Sequence, residues 1–199
     1  MPSGRSPARS RSTLAIWVAS VVSIGVGCHS PAGAVRVAES SQCRGTPPVI
    51  VLTRHAEKAS DDADPALSDK GNARAARLAR LLARSTPTRL FATDTKRTQG
   101  TLAPLATAVH VAVEVRPARD IAGLSRELLE LPSGAVVIVA HHSNGVPKLA
   151  HALGVELPKL DAGNLAHDAF GRVFLVVPSC GERKATLVEL DSDEETAPR

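Results

Sequence analysis

Apolar positions from about residue 49 onwards alternate between continuous runs and stripes with helical spacing. The run at 135–140 is apolar at every position, which predicts a strand buried on both faces of a sheet. The stretch 71–84 instead carries apolar residues three and four positions apart, which predicts an amphipathic helix. Further strands are predicted at 49–53, 90–93 and 110–115, and further helices at 97–109, 121–131 and 146–153. This alternation predicts an α/β fold, a three-layer α/β/α sandwich around a mostly parallel central sheet.

The last part of the pattern differs, because two strand-like runs follow each other without a helix between them. The runs cover 173–177 and 184–190, and the segment 178–183 that joins them holds Pro and Gly. They predict a hairpin added at the edge of the sheet, and with it a folded domain that spans 49–190. The remaining residues, 191–199, are rich in acids, which predicts a disordered acidic tail.

The chain begins with a basic segment followed by an apolar one. Three Arg in the first eleven residues precede the run at 14–27, a pattern typical of a secretory signal peptide. The alternative is a retained membrane anchor, but Ser and Gly dilute the run, and its dense apolar part is short for a bilayer span. Two cleavage sites compete. A lipoprotein-type site ends the leader at residue 27 and places a lipid on Cys28, whereas Ala-Gly-Ala at 32–34 fits ordinary export with cleavage after residue 34.

Export changes what the charge and the cysteines mean. The whole chain has a net charge of +4, which favours anionic partners such as nucleic acid. The leader holds three Arg and no acid, so the exported chain is nearly neutral. The whole chain has only three Phe, one Trp and no Tyr, so it offers few rings for base stacking. We therefore expect no nucleic-acid partner. Residues 28–48 then predict a flexible tether, and Cys43 and Cys180 are a candidate disulfide, with two unrelated thiols as the alternative.

Polar clusters follow three of the predicted strands, at the edge where parallel sheets bind their ligands. Guanidinium forks suit phosphate oxygens, and a neutral imidazole can attack phosphorus. Two Arg and two His in these clusters therefore predict a phosphate site, whereas surface charge at strand ends would explain a single Arg-His pair. The clusters are Arg54-His55-Ala56-Glu57-Lys58, Thr93-Asp94-Thr95-Lys96-Arg97-Thr98 and His141-His142-Ser143-Asn144.

Four motifs in order resemble those of the histidine phosphatase superfamily, whose fold is phosphoglycerate-mutase-like, and the resemblance covers about 49–177. It implies an exported bacterial member that hydrolyses phosphomonoesters through a transient phosphohistidine on His55. The family needs no metal or other cofactor, and the expected partner is a small phosphorylated substrate. The motifs are Arg54-His55-Ala56, Leu67-Ser68-Asp69-Lys70-Gly71, Arg97-Thr98-Gln99-Gly100-Thr101, and His142-Ser143-Asn144 with Val146-Pro147.

The resemblance also implies a role for each charged residue. Arg54, Arg97 and His142 would bind the phosphate, with His142 sharing the catalysis with His55. The proton donor of the family is often a carboxyl group between the second and third motifs, which favours Asp120. Two other carboxylates are alternatives: Glu57, beside the nucleophile, and Asp168, which precedes a strand in a segment similar to one of the family. If neither is the proton donor, either would orient an Arg or cap a turn.

His141 stands where the family usually has Gly or Ala. The doubled His141-His142 raises the alternative of a metal site, but repulsion from two Arg disfavours a cation there. We expect His141 to shape the rim of the pocket or to act as a further hydrogen-bond donor.

Two other functions fit the same residues. One is a mutase that moves phosphate within a sugar acid, although export separates the chain from cytoplasmic substrates. The other is a non-catalytic phosphate-binding envelope protein, which would keep Arg54 and Arg97 but need no acid. The expected location is the bacterial cell envelope or periplasm, with membrane contact only through a lipid on Cys28 if that cysteine is modified.

Overall fold

A computed structural model describes residues 45–192 of the chain. The predicted leader, Cys28, Cys43, all but the last residues of the predicted tether, and 193–199 of the predicted tail lie outside the described residues. The strands are β1 (Val49–Arg54), β2 (Arg89–Thr93), β3 (Val113–Arg116), β4 (Val136–His141), β5 (Leu160–Asp161), β6 (Asn164–Leu165), β7 (Arg172–Val177) and β8 (Thr186–Asp191). The helices are α1 (Asp69–Leu82), α2 (Lys96–Val109), α3 (Ile121–Leu129) and α4 (Gly145–Ala152), with a short 3₁₀ helix at Ala83–Ser85.

Six strands form one sheet in the order β3-β2-β4-β1-β7-β8. The four strands from β3 to β1 run parallel. β7 pairs antiparallel with β1, and β8 pairs antiparallel with β7, as the predicted hairpin requires. The predicted mostly parallel α/β sheet with an added hairpin is therefore confirmed.

The two faces of the sheet are covered by different helices because side chains alternate along each strand. Ile50 and Leu52 of β1 are fully buried on the face that packs against α3 and α4. Val51 points to the opposite face, where it packs with Leu78 of α1 and Leu102 of α2. Three layers result, with both aliphatic cores anchored on the central strands β1 and β4.

Helix α1 is fixed directly against the segment that follows β1. Ser68 caps the helix, and its Oγ accepts a hydrogen bond of 3.1 Å from the amide of Gly71. A Cβ at Gly71 would lie 2.2 Å from the carbonyl oxygen of Glu57, so only glycine permits this approach. The motif around Leu67–Gly71 thus fits the helix to the end of the first strand.

The structure departs from the sequence-based expectation in two segments. Residues 110–112 are not part of β3, because His110 ends α2 in a left-handed conformation (φ 56°). The segment 157–167 contains the short hairpin β5–β6, which is too short for hydrophobic alternation to reveal.

Cys180 lies in the turn between β7 and β8 and is disulfide-bonded. Its predicted partner, Cys43, lies outside the described residues, so the pairing of these two cysteines stays a prediction. Within residues 45–192, no helix is long and apolar enough to cross a membrane.

Candidate active site

The site lies where the central strands β1, β4 and β2 end. Arg54 of β1 is paired in register with His141 of β4, and the His55 amide donates to the His141 carbonyl at 2.8 Å. This pairing places the Arg-His pair on the rigid middle of the sheet. Beside it is a pocket of about 210 Å³ lined by Arg54, His55, Lys58, Asp62, Ala63, Pro65, Arg97 and His167.

The backbone sets the tautomer of His55. Its Nδ1 lies 2.8 Å from the carbonyl oxygen of Ala56, which can only accept, so Nδ1 carries the proton. Nε2 then holds the lone pair. Burial of the ring lowers the His55 pKa to about 4; the hydrogen bond to the Ala56 carbonyl acts in the opposite direction, and the nearby charges of Arg54 and Arg97 also lower the pKa. At neutral pH the His55 ring is therefore uncharged, and its Nε2 lone pair is suited to nucleophilic attack.

We expect the His55 ring to titrate near pH 4 in the free protein. A depressed pKa means that the ring takes up its proton only as the pH falls through that value, so Nε2 keeps its lone pair from pH 5 upwards. Imidazole nitrogen NMR of the labelled protein in phosphate-free buffer measures this titration, and the spectrum of His55→Ala assigns the signal. A midpoint at or above the ordinary value of 6.5 would contradict the expectation.

Arg54 is held by the turn that precedes β7. Its Nη1 donates to the carbonyl oxygens of Ala166 and His167, both at 2.9 Å. Its guanidinium also lies 4.1 Å from the centre of the Phe170 ring. Nε is buried, and no group of residues 45–192 hydrogen-bonds it. Burial lowers the pKa of Arg54, because Glu57 and Asp168 compensate its charge only in part.

Arg97 and His142 complete the cluster from α2 and from the residue after β4. The Nδ1 atom of His142 lies 3.5 Å from Nη2 of Arg97, and the His142 ring is 5.5 Å from that of His55. Burial and then the charge of Arg97 lower the His142 pKa. Arg97 has one acidic neighbour, Asp64, at 3.8 Å. Two guanidinium groups and two imidazoles thus converge with little counter-charge, an arrangement suited to a dianion.

His141 does not have the position expected from the sequence. It is 2% exposed, so it is neither at the rim of the pocket nor available there as a donor. Its Nδ1 accepts a hydrogen bond of 2.8 Å from the His142 amide. Its ring fills the space above Gly145, where a Cβ would come within 1.9 Å of Nδ1. His141 therefore fixes the backbone of His142 from below.

Two of the three carboxylates proposed as proton donors, Asp120 and Glu57, are engaged in local contacts. Asp120 caps α3, where its Oδ1 accepts from the Gly123 amide at 2.8 Å, and it does not line the pocket. Glu57 is bound by Arg74 at 2.7 Å, and the resulting hydrogen bonds and charge hold the Glu57 pKa at about 2. Such a carboxyl carries no proton to donate at neutral pH. Asp168 is exposed and contributes charge near Arg54.

We expect Asp120→Asn to keep nearly full activity on a phosphorylated substrate. The amide oxygen of Asn caps a helix about as well as a carboxylate does, so the variant removes only the ability to give a proton. Steady-state kcat and the melting temperature check this. A loss of kcat of about 100-fold or more, the size of a general-acid contribution, with an unchanged melting temperature would reinstate Asp120 as the proton donor.

Several residues of the site were not expected from the sequence. Phe170 contacts Arg54, and its ring centre is 6.1 Å from that of His55. Thr93 contacts His142 through its hydroxyl, at 3.0 Å from Nε2. Both lie far in sequence from their partners, so no local pattern marks them. Lys58 and Asp62 come from the loop after β1, whose polar composition was the only signal.

Within the described part of the chain, no three His, Cys, Asp or Glu side chains come together in an arrangement that could hold a metal ion. His141 and His142 have different roles, because one ring nitrogen of His141 accepts a hydrogen bond from the His142 amide. His141 therefore holds the backbone and His142 belongs to the pocket, so the two rings do not bind one shared ligand.

Residues 50–122 match the family model of the histidine phosphatase superfamily (branch 1). Among solved structures, the protein histidine phosphatase SixA complexed with tungstate has a TM-score of 0.58 and 19% identity, over 72% of this chain and 97% of that one. A mycobacterial glucosyl-3-phosphoglycerate phosphatase has a TM-score of 0.56 and 15% identity, over 72% and 98%. The SixA structure from Nakamurella multipartitia has a TM-score of 0.52 and 23% identity, over 73% and 96%.

No curated protein matches the chain in sequence. At these identities, the structural likeness shows that the fold is shared.

Proposed function

We propose, from the premise that this chain belongs to the histidine phosphatase superfamily, that it hydrolyses phosphomonoesters through a phosphohistidine on His55. One observation carries the proposal. Arg54, Arg97, His55 and His142 converge at the ends of the central strands, where nearby carboxylates compensate the charges of Arg54 and Arg97 only in part. Because a phosphate dianion supplies that counter-charge, its binding is favoured at this point of the sheet.

In the first half of the reaction, Nε2 of His55 attacks phosphorus and the bond from phosphorus to the leaving oxygen breaks. Arg54 and Arg97 neutralise the charge on the phosphoryl oxygens in the transition state. The dianion raises the proton affinity of His142, so that the ring takes up a proton from solvent and then donates it to the leaving oxygen. The products of this half are an alcohol and phosphohistidine.

In the second half, water attacks the phosphohistidine and gives a proton to His142. The bond between nitrogen and phosphorus breaks, and its electron pair returns to Nε2 of His55. Phosphate leaves, and both imidazoles regain their starting states. The hydrogen bond from Nδ1 to Ala56 keeps the ring of His55 in one tautomer throughout.

A second candidate substrate is a phosphohistidine, and the state of the nearby carboxylates favours it. Asp62 accepts from the Ser60 hydroxyl, Asp61 pairs with Lys58, and Asp64 accepts from the Lys96 amide. Glu57 is ionised through Arg74. A leaving imidazole needs no carboxylic acid, because its distal nitrogen takes a proton from solvent near neutral pH. The protein histidine phosphatase SixA shares the fold of this chain.

We expect the purified chain to release phosphate from a phosphohistidine peptide with a kcat/KM at least about tenfold higher than from glycerol phosphate, because only the second needs its leaving oxygen protonated by the enzyme. The assay measures inorganic phosphate in the presence of a chelator, which should not change the rate. A release rate no higher than that of His55→Ala on every substrate would contradict the proposed function, whereas a preference for glycerol phosphate would contradict only the second candidate.

A further inference from the structure

Three threonine hydroxyls form a cluster, here called the threonine cluster, where β2 ends and α2 begins. Thr93 Oγ1 lies 2.8 Å from Thr98 Oγ1 and 3.2 Å from Thr95 Oγ1, and Thr95 and Thr98 are 3.0 Å apart. Thr93 is 1% exposed and Thr98 is fully buried. The cluster contacts the candidate site at one point, through the 3.0 Å contact between Thr93 Oγ1 and His142 Nε2.

The protons of these contacts follow from the groups on either side. The Arg97 guanidinium can only donate, so the Nδ1 atom of neutral His142, which faces it, holds a lone pair. The proton of the neutral ring is then on Nε2, and it is donated to Thr93 Oγ1. With the other tautomer, an N–H of His142 would point at an N–H of Arg97.

The cluster can accept this proton's hydrogen bond without leaving a hydroxyl unpaired. Thr93 donates in turn to Thr98 or Thr95, and Thr98 donates to the Thr95 carbonyl oxygen at 2.9 Å or to that of Thr93 at 3.1 Å. The chain of donors therefore ends on a backbone carbonyl, which has no proton to return. Each hydrogen bond of the cluster therefore favours Thr93 Oγ1 as the acceptor of the His142 Nε2–H.

We propose that Thr93 is a positioning residue that holds the His142 proton on Nε2 and thereby directs Nδ1 at the phosphoryl group. This inference rests on the proposed function, in which His142 takes up a proton from solvent when the dianion binds and uses it during transfer. With Nε2–H already bonded to Thr93, the added proton sits on Nδ1, where the bound phosphoryl group, and not the Arg97 guanidinium, accepts its hydrogen bond. Thr98 supports Thr93 from behind and contacts no imidazole.

The electrostatic surroundings of His142 make the Thr93 contact consequential. Arg97 and Arg54 disfavour its protonated form and Asp94 favours it, while the rings of His55 and His141 lie within 5.5 Å and 5.4 Å of its centre. An imidazolium donates from both nitrogens, so loss of the Thr93 acceptor leaves one of them buried and unpaired. The pKa of His142 should fall further in such a variant.

Thr93→Val removes the hydroxyl, and Thr93→Ser keeps it. We expect Thr93→Val to lower kcat about 10- to 100-fold, the range for loss of a residue that orients an imidazole, and to move the basic limb of the kcat profile to lower pH. Thr93→Ser should restore both. Thr107→Val is the matched control, because the Thr107 hydroxyl is exposed and bonds only the carbonyl of Ala103 among the described groups.

Imidazole nitrogen NMR separates this inference from the proposed function, since it needs no turnover. In the wild type and in Thr93→Ser, the His142 proton should be on Nε2, and inorganic phosphate should add a second proton at Nδ1. In Thr93→Val the tautomers should mix. Should Thr93→Val fail to fold, Thr93→Ala, which introduces no misplaced methyl group, is read in the same way. An unchanged tautomer and pH profile in the folded variant overturns the role of Thr93 even if the wild type is active, whereas an inactive wild type with the stated tautomer overturns the function alone.

Discussion

Replacing His55 with Ala is expected to lower the rate of phosphate release by about 10⁴-fold or more, as removal of a covalent nucleophile does in other enzymes. The ring offers a neutral, buried lone pair on Nε2, and its tautomer is fixed through the 2.8 Å bond from Nδ1 to the Ala56 carbonyl. Arg54 and Arg97 remain in the variant and still bind anions. Phosphate binding should therefore persist while turnover is lost.

The labelling of His55 measures the same prediction directly. Wild-type protein that is quenched during turnover of a radioactive phosphomonoester should carry phosphate that is stable in base and lost in acid, and His55→Ala should carry none. His151→Ala is the matched control, because His151 is exposed on α4 and pairs with Glu156 away from the pocket. Retained turnover in His55→Ala would refute the phosphohistidine route.

Replacing Arg54 with Ala is expected to lower kcat/KM by about 10³-fold, the upper end of what one preorganised donor contributes. Arg54→Lys should lose about 100-fold, because a single ammonium cannot hold the Ala166 and His167 carbonyls and also present a second planar donor to phosphate. The loss should appear in both kcat and KM, since the guanidinium binds the phosphoryl oxygens before and during transfer. Inorganic phosphate should inhibit both variants less strongly than the wild type.

Arg80→Ala is the control for the loss of one positive charge. Arg80 is exposed in the last turn of α1 and does not line the pocket. Its removal should change kcat/KM by less than about twofold, the small effect usual for surface substitutions. Equal losses in Arg80→Ala and Arg54→Ala would mean that the net charge, and not the geometry of the Arg54 fork, sets the affinity.

The fold followed from local signals in the sequence. The apolar runs of β1 and β4, the stripe of α1 and its cap at Ser68 each act within a few residues, and strands buried on both faces restrict the sheet to a covered, parallel arrangement. The start of β3 did not follow in this way. His110 ends α2 in a left-handed conformation, and the alternation of apolar and polar side chains does not predict this helix end.

The same distinction applies to the candidate site, where some positions follow from local signals in the sequence and others depend on packing. Three of the site residues lie just after predicted strands, namely Arg54, His55 and His142, and Arg97 lies at the start of a predicted helix. The structure brings all four together. The position of His141 depends on Gly145 and on how α4 packs, which sequence spacing does not contain. Phe170 and Thr93 act through contacts across 116 and 49 positions of the chain. Asp120 has the residue type of an acid, but its position at the start of α3 commits it to capping.

Because Arg54 of β1 pairs in register with His141 of β4, the pocket lies at the ends of the two strands whose amide hydrogens are most protected from exchange. The amide hydrogens of β1 and β4 are enclosed by neighbouring strands on both sides and by helices on both faces, and such hydrogens exchange only when the whole domain opens. Loosening of the outermost strand β8, which pairs with neither β1 nor β4, would therefore leave the backbone of Arg54 and His55 in place. Inactivation should then follow the cooperative unfolding of the sheet, and not an earlier, local melting of the site.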